Sequence, residues 1–259
     1  MINDIKAVAF DIDGTLCYGS TPIDGAIELI NFFKKKKLKV FYLTNNSSKT
    51  RQGVVDKLLS VGFELSVKDL YTSAYTVSVY LKQKSYKNVF VLGESGLREE
   101  ISSQGVNITE EERAEAVVVG LDLSFNYEKL SKAATVVLNG AEIIACNYDV
   151  NYPGKDCKTF PGCGALVAAL EAAGSKKADY IAGKPNTLMI ELLSKDTGLK
   201  NKEILVIGDS YSSDIEMAKK FGSASVLISS DISYKNNSNN NFLTFKSLRE
   251  IFEYFSAKL

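Results

Sequence analysis

The amino-acid sequence contains no histidine among its 259 residues. This absence excludes Ser-His-Asp hydrolases, papain-like Cys-His enzymes and phosphohistidine chemistry, and it argues against most zinc sites. Any hydrolytic chemistry in this chain must therefore use carboxylates, hydroxyl groups, lysine or a hard metal ion.

Net charge is also absent, because 31 basic residues balance 31 acidic ones. The sequence thus gives no reason to expect nucleic acid or an anionic membrane as the main partner. We expect no secretory leader, and the apolar run at 7–10 is far too short to span a bilayer. The cysteines form no CxxC pair, so we expect reduced thiols in a cytoplasmic protein. The four are Cys17, Cys146, Cys157 and Cys163.

Short apolar runs alternate with longer helical patterns along the chain. Three of these runs predict buried strands that end at Asp11, at Thr44 and at Gly208. Ser212 or Ser213 is expected to cap the helix after the third strand. Such alternation is typical of a parallel sheet flanked by helices, so the sequence predicts an α/β fold with a Rossmann-like core.

A long insert between the second and third of these strands has its own alternation of strands and helices. Strand patterns occur at 89–92, 116–119 and 143–146, and helical patterns at 96–103 and 127–138. This is enough structure for a second α/β unit with its own core. The predicted domains are a core formed by 1–75 and 183–259, and an inserted domain at 76–182.

Acidic residues follow the first and third of the predicted strands. Asp11 and Asp13 lie two positions apart with Gly14 after them, and Asp209 precedes Asp214 by five positions. Open parallel sheets bind ligands at the carboxyl ends of their strands, and close carboxylates ionise together most readily when a cation neutralises them. An oxygen-rich site of this kind suits Mg²⁺. A lone DxD pair has an alternative explanation as a turn or a helix cap.

Two further segments could place hydrogen-bond donors around an anion. Lys184 lies between a glycine and a proline that restrict the backbone, so its ammonium group can be aimed in one direction. Thr44 and Asn45 begin a run of hydroxyl and amide side chains after the second strand, where donors can converge on an anion. Either segment alone is more often a surface turn or a helix-capping segment.

Taken together, four motifs resemble the signature of the haloacid dehalogenase superfamily of phosphohydrolases. They are DIDGT at 11–15, TNNSS at 44–48, GKP at 183–185 and GDSYSSD at 208–214, in that order and with the insert before GKP. The position of the insert and the segments at 92–94 and 161–166 resemble the NagD or p-nitrophenylphosphatase branch. The resemblance covers the whole chain. An acid two positions after Asp11 argues against a dehalogenase.

The resemblance implies a role for each motif residue. Asp11 would attack phosphorus to form an aspartyl phosphate, and Asp13 would protonate the leaving group and then activate water. Thr44 and Asn45 would bind the phosphoryl oxygens, and Lys184 would neutralise both Asp11 and the transferred group. The expected substrate is a small phosphorylated metabolite, such as a sugar phosphate, a nucleotide, a glycolate or glycerol phosphate, or an aryl phosphate.

The resemblance also implies a Mg²⁺ site. Asp11 would bind the ion through its carboxylate, Asp13 through its backbone carbonyl and Asp209 through its carboxylate, with Asp214 contributing through water or by contacts to these ligands. One departure is Ser210-Tyr211, where this branch often has asparagine or arginine directly after the aspartate. The change leaves the carboxylates intact and puts the local hydrogen bonding in doubt.

In this family an insert at this position is a cap of the larger, C2 type. A cap excludes water and contacts the leaving group, so we expect substrate contacts from Asn147, Tyr148 and Asp149, which could equally form an ordinary loop. Related caps often take part in dimer contacts, which makes a homodimer one expectation. The competing functions are a phosphomutase on the same fold and a non-catalytic ligand-binding protein.

Overall fold

The computed structural model describes residues 4–153, 159–231 and 242–258. These residues form two compact units, which we call the core unit and the insert unit. The core unit comprises Met1–Thr44, Val55–Tyr71 and Thr187–Leu259, and the insert unit comprises Asn45–Val54 and Thr72–Asn186. The division therefore assigns Asn45–Val54 to the insert unit, whereas the sequence pattern placed this segment with the core.

Fifteen strands are present in the described part of the chain, and their bounds follow in chain order. They are β1 (Ala7–Asp11), β2 (Cys17–Tyr18), β3 (Thr21–Pro22), β4 (Lys39–Thr44), β5 (Leu70–Thr72), β6 (Asn88–Leu92), β7 (Asn107–Ile108), β8 (Ala116–Val119), β9 (Glu142–Ala145), β10 (Asn151–Pro153), β11 (Thr159–Pro161), β12 (Tyr180–Ile181), β13 (Ile204–Gly208), β14 (Ala224–Ile228) and β15 (Phe242–Phe245).

The described α-helices follow the same alternation. They are α1 (Ala26–Lys35), α2 (Arg51–Ser60), α3 (Ser73–Gln83), α4 (Ser95–Ser103), α5 (Tyr127–Leu138), α6 (Cys163–Ala173), α7 (Leu188–Thr197), α8 (Glu216–Phe221) and α9 (Leu248–Ser256). None of them is long and apolar enough to cross a membrane.

The core unit contains a six-stranded sheet in the order β15-β14-β13-β1-β4-β5. Strand β1 pairs in parallel with β13 on one side and with β4 on the other, so Ala7 lies between Ile204 and Lys39. Because β1 is central, its apolar residues are buried on both faces. Phe10 packs against Phe33 of α1, with ring centroids 6.1 Å apart. The predicted α/β fold with a parallel-sheet core is confirmed.

The insert unit has a five-stranded sheet of its own, in the order β12-β9-β8-β6-β7. All four neighbouring pairs in this sheet are parallel. Its strands and helices enclose one hydrophobic core, to which β8 contributes four fully buried residues. The hairpin β10-β11 is a separate antiparallel pair in this unit.

The helix after β13 begins differently from the prediction. Ser212 and Ser213 were expected to cap it, but both lie inside one π-helical turn, Tyr211–Ile215, which continues into α8. Ser210 precedes this turn, and its N–H donates to the Asp214 carboxylate at 3.2 Å. The Ser210 carbonyl accepts the N–H groups of Asp214 and Ile215, so the helical turn begins at Ser210 and the predicted cap at Ser212 or Ser213 was wrong.

Candidate active site

The ends of three neighbouring strands bring the first group of candidate residues together in the core unit. Asp11 ends β1, Thr44 ends β4, and Asp209 directly follows β13. The strands run in parallel with Asp11 opposite Leu43, so their carboxyl ends meet at one edge of the sheet. This edge is where the sequence placed the site.

A cluster of three carboxylates lies at this edge. Asp11, Asp209 and Asp214 each present one oxygen, and these oxygens all lie within 4.8 Å of one another. Asp11 and Asp214 are buried and Asp209 is exposed. Three anions this close are compatible with a folded core when a hard divalent cation neutralises them, and carboxylate oxygens are the ligands such cations prefer. The cluster therefore fits a divalent metal ion.

Hydrogen bonds fix two of these carboxylates. The Thr15 hydroxyl donates to Oδ1 of Asp209 at 3.1 Å, and the N–H of Ser210 donates to Oδ2 of Asp214. Such contacts orient metal ligands without removing their remaining lone pairs. The Ser210-Tyr211 departure is thus compatible with an ordered turn, since Tyr211 also packs edge-on against Phe242.

Two glycines leave the space that the carboxylates occupy. A Cβ atom at Gly14 would lie 2.3 Å from Oδ2 of Asp209, and a Cβ atom at Gly208 would lie 2.3 Å from Cγ of Asp214. Gly14 also has a φ of +95°, in the left-handed region that other residues rarely adopt. Glycine at these positions is therefore a requirement of the carboxylate cluster.

Gly14→Ala is expected to weaken divalent-metal binding by roughly 10-fold or more, because the new methyl group displaces Asp209. Gly19→Ala is the matched control: Gly19 has a φ of +60° but nothing within 4 Å of a Cβ atom. Both variants should lose about 1–2 kcal/mol of stability to backbone strain. Isothermal titration calorimetry should show a higher dissociation constant for Mg²⁺ in Gly14→Ala only. Equal Mg²⁺ affinity in the two variants would contradict this expectation.

Asp13 presents its carboxylate to different partners. The Thr44 hydroxyl lies 3.5 Å from its Oδ2, and the ammonium nitrogen of Lys57 lies 3.7 Å from its Oδ1. The Asp13 side chain is half-exposed, so it remains accessible to water. Lys57 on α2 was not predicted, because a lysine on a half-exposed helix has no distinctive sequence pattern. The two neighbouring acids, Asp11 and Asp13, thus have separate environments.

Cys17 lies close enough to Asp13 and Lys57 to interact electrostatically with both. Burial raises the pKa of its thiol to about 11, with the charge of Lys57 opposing the rise. The thiol is therefore protonated at neutral pH and is a poor nucleophile. Cys146 and Cys163 are also free and buried, and Cys157 lies outside the described residues.

The second group of candidate residues lies in the insert unit. Lys184 is 2 % exposed and follows β12. Its N–H donates to Oδ1 of Asn45 at 2.9 Å, and Nδ2 of Asn45 donates to the Asp149 carboxylate at 3.0 Å. Nδ2 of Asn147 donates to the backbone carbonyl of Asn45 at 2.7 Å. The structure therefore brings together one phosphate-binding candidate, the lysine and two of the cap candidates.

Tyr148, the third cap candidate, is directed into the insert unit. Its ring packs against the hydrophobic core, and its hydroxyl donates to the Glu171 carboxylate. Burial and this hydrogen bond raise the pKa of Tyr148 to about 12. The hydroxyl is thus already engaged in a structural contact.

Comparison with known proteins identifies the family. The haloacid dehalogenase-like hydrolase model matches residues 8–107, and a second model of this type, described as HAD-hydrolase-like, matches residues 181–250. The sugar-phosphatase AraL of Bacillus subtilis is 34% identical over 85% of this chain and 82% of its own length. The chain belongs to the haloacid dehalogenase-like hydrolases.

Other relatives place this hydrolase within the family. The acid sugar phosphatase of Staphylococcus aureus is 33% identical over 88% of both chains. The 4-nitrophenylphosphatase of Thermotoga maritima has a TM-score of 0.89 at 29% identity, covering 97% of this chain and 98% of its own. NagD of Escherichia coli K-12 has a TM-score of 0.84, also at 29% identity, covering 95% and 98%. The expected NagD-like branch and phosphatase class are confirmed.

Proposed function

We propose that this hydrolase removes phosphate from a small phosphorylated metabolite by Mg²⁺-dependent transfer to Asp11 and then to water. The observation that carries the proposal is the separation of the two neighbouring acids. Asp11 is buried within the carboxylate cluster, whereas the Asp13 carboxylate lies outside it beside Thr44 and Lys57. One acid is thus suited to attack within the metal site, and the other to proton transfer.

The first step would form a bond between a carboxylate oxygen of Asp11 and phosphorus while the bond to the leaving oxygen breaks. Asp13 would give its proton to that oxygen, which leaves as an alcohol. In the second step Asp13, now ionised, would take a proton from water as the water attacks phosphorus. Inorganic phosphate leaves and the Asp11 carboxylate is regenerated.

The charges of the transferred group need neutralisation throughout. Mg²⁺ is proposed to be held by the carboxylates of Asp11 and Asp209 and the carbonyl of Asp13, with Asp214 supporting them, and when bound it neutralises phosphoryl charge. Lys184 is proposed, from the family resemblance, to add a fixed positive charge. Because the chain contains no histidine, another group must carry the proton transfers, and Asp13 is proposed for this role.

Sugar phosphates are the first candidates for the substrate. Two of the relatives are named as a sugar-phosphatase and an acid sugar phosphatase, which supports this choice over nucleotides and glycolate or glycerol phosphates. Phosphate release from glucose 6-phosphate, AMP, glycerol 3-phosphate and p-nitrophenyl phosphate would test the function directly. A phosphomutase would accumulate no inorganic phosphate from any of them.

The segment 147–152 is proposed to set the preference among these substrates. Tyr152→Ala should change the ratio of kcat/KM between sugar and aryl phosphates by about 10-fold or more, because contacts to a leaving group discriminate at this scale. Tyr127→Ala is the control, since Tyr127 is an exposed aromatic of α5 in the same unit. If Tyr152→Ala scales kcat/KM for every substrate equally, this segment does not select the substrate.

A further inference from the structure

Asn45 pairs with the backbone of Lys184 as one peptide group pairs with another. Its Oδ1 accepts the N–H of Lys184 at 2.9 Å, and its Nδ2 donates to the carbonyl of the same residue at 3.2 Å. The side-chain amide therefore satisfies both polar groups of one residue that is 139 positions away in sequence. A single planar group with two such bonds fixes both the position and the rotation of the lysine backbone.

The remaining hydrogen of this amide is also used. Nδ2 of Asn45 donates to the Asp149 carboxylate at 3.0 Å, a bond that the charge of the acceptor strengthens. The backbone carbonyl of Asn45 accepts from Nδ2 of Asn147 at 2.7 Å and from the Ser73 hydroxyl at 2.8 Å. The side chain and the backbone carbonyl of Asn45 are thus both hydrogen-bonded. Both hydrogens of its side-chain amide are donated to residues of the insert unit.

The chain before Lys184 is packed against the same amide. A Cβ atom at Gly183 would lie 2.5 Å from Oδ1 of Asn45 and 2.4 Å from the carbonyl oxygen of Cys146. The N–H of Gly183 donates to that carbonyl at 2.7 Å. The backbone at Gly183 and Lys184 is therefore closely packed, and the N–H groups of both residues are hydrogen-bonded.

We propose that Asn45 is a positioning residue for Lys184, and that Asp149 holds the Asn45 amide in the orientation this requires. The inference rests on the proposed function, in which Lys184 neutralises the transferred phosphoryl group. It assigns the Asn45 side chain to the lysine backbone, whereas the motif resemblance implied only that Asn45 binds the phosphoryl oxygens, without distinguishing its side chain from its backbone. Asp149 accordingly acts on the lysine loop through Asn45.

A double-mutant cycle in kcat distinguishes these two roles. Asn45→Ala alone should lower kcat by about 10²-fold with a smaller change in KM, because a displaced charge mainly costs transition-state stabilisation. In the Lys184→Ala background the same change should lower kcat only about 3-fold or less, since the group being positioned is gone. Equal losses in the two backgrounds would overturn the proposal.

A charge exchange tests the contribution of Asp149. Asn45→Asp keeps an acceptor for the Lys184 N–H, but it loses both donors and faces the Asp149 carboxylate. We expect kcat to fall as in Asn45→Ala. It should recover in part when Asp149→Asn is added, because the new amide at position 149 can donate to the carboxylate at position 45 and so restore the hydrogen bond between the two side chains. Asn139→Ala is the control, since Asn139 donates in the same way to the carbonyl of Glu112. Absence of any recovery would remove Asp149 from the proposal.

Hydrogen exchange provides a test that does not depend on activity. The Lys184 amide should exchange about 10-fold faster or more in Asn45→Ala, because the Oδ1 acceptor is lost, and should be unchanged in Asn139→Ala. Unchanged exchange at Lys184 in Asn45→Ala would overturn the proposal. If exchange at Lys184 is faster in Asn45→Ala but the wild-type protein releases no phosphate from any substrate, the proposed function is refuted and the contact between Asn45 and Lys184 remains established.

Discussion

Asp11→Asn is expected to eliminate turnover and to yield no phosphoenzyme after acid quench with a radiolabelled aryl phosphate. The substitution removes the attacking oxygen and one member of the buried carboxylate cluster. Asp24→Asn is the matched control, because it changes only a solvent-exposed ion pair with Arg249, and such pairs contribute little to stability. Its turnover should equal that of the wild-type protein.

Asp13→Asn should behave in a different way. It leaves Asp11 and the backbone carbonyl of residue 13 in place, so aryl phosphates, whose leaving groups need little protonation, should still react. Alkyl phosphates should lose about 10²–10⁴-fold in rate, which is the usual contribution of general acid catalysis. Without a base to activate water, labelled phosphoenzyme should accumulate. Label on Asp11→Asn but not on Asp13→Asn would show that the nucleophile had been assigned to the wrong residue.

Removal of divalent metal should reduce turnover about as much as Asp11→Asn does. Excess EDTA is expected to abolish phosphate release, and excess Mg²⁺ to restore it, because Asp11, Asp209 and Asp214 form an oxygen-rich cluster at one strand edge. Asp209→Asn should raise the half-saturating Mg²⁺ concentration by at least about 10-fold. Thr15→Val should raise it by less, since it removes only the hydrogen bond to Asp209. Full turnover in a metal-free sample would refute the assignment.

The strand ends could be predicted from the sequence because they depend on local patterns. Central parallel strands are buried on both faces, so β1 and β13 are continuous apolar runs that stop where Asp11 and Asp209 begin. The same reasoning placed β8 at 116–119 and α5 at 127–138, in agreement with the structure. Periodicity in one element was sufficient for each of these predictions.

Contacts between distant elements could not be predicted in this way. The position of Lys57 beside Asp13 depends on how α2 packs, and the attachment of Asn45 to Lys184 joins segments 139 positions apart. The grouping of Asn45–Val54 with the insert unit has the same origin, since the Ser47 hydroxyl accepts the N–H of Leu121 at 2.9 Å. A single sequence gives no pattern for such pairings.

The placement of β13 beside β1 has a consequence for synthesis on the ribosome. Thr15 and Asp209, which share a hydrogen bond, are 194 positions apart, so Asp11 emerges long before Asp209 and Asp214, the carboxylates that complete its cluster. At about 5–20 residues per second, roughly 10–40 s pass between them. The insert unit, whose last residue is Asn186, can fold as a unit during that interval. A chain that stalls after Asn186 has emerged but before Ile204 has emerged would thus carry a complete insert unit and an incomplete central sheet, which quality-control proteases could recognise.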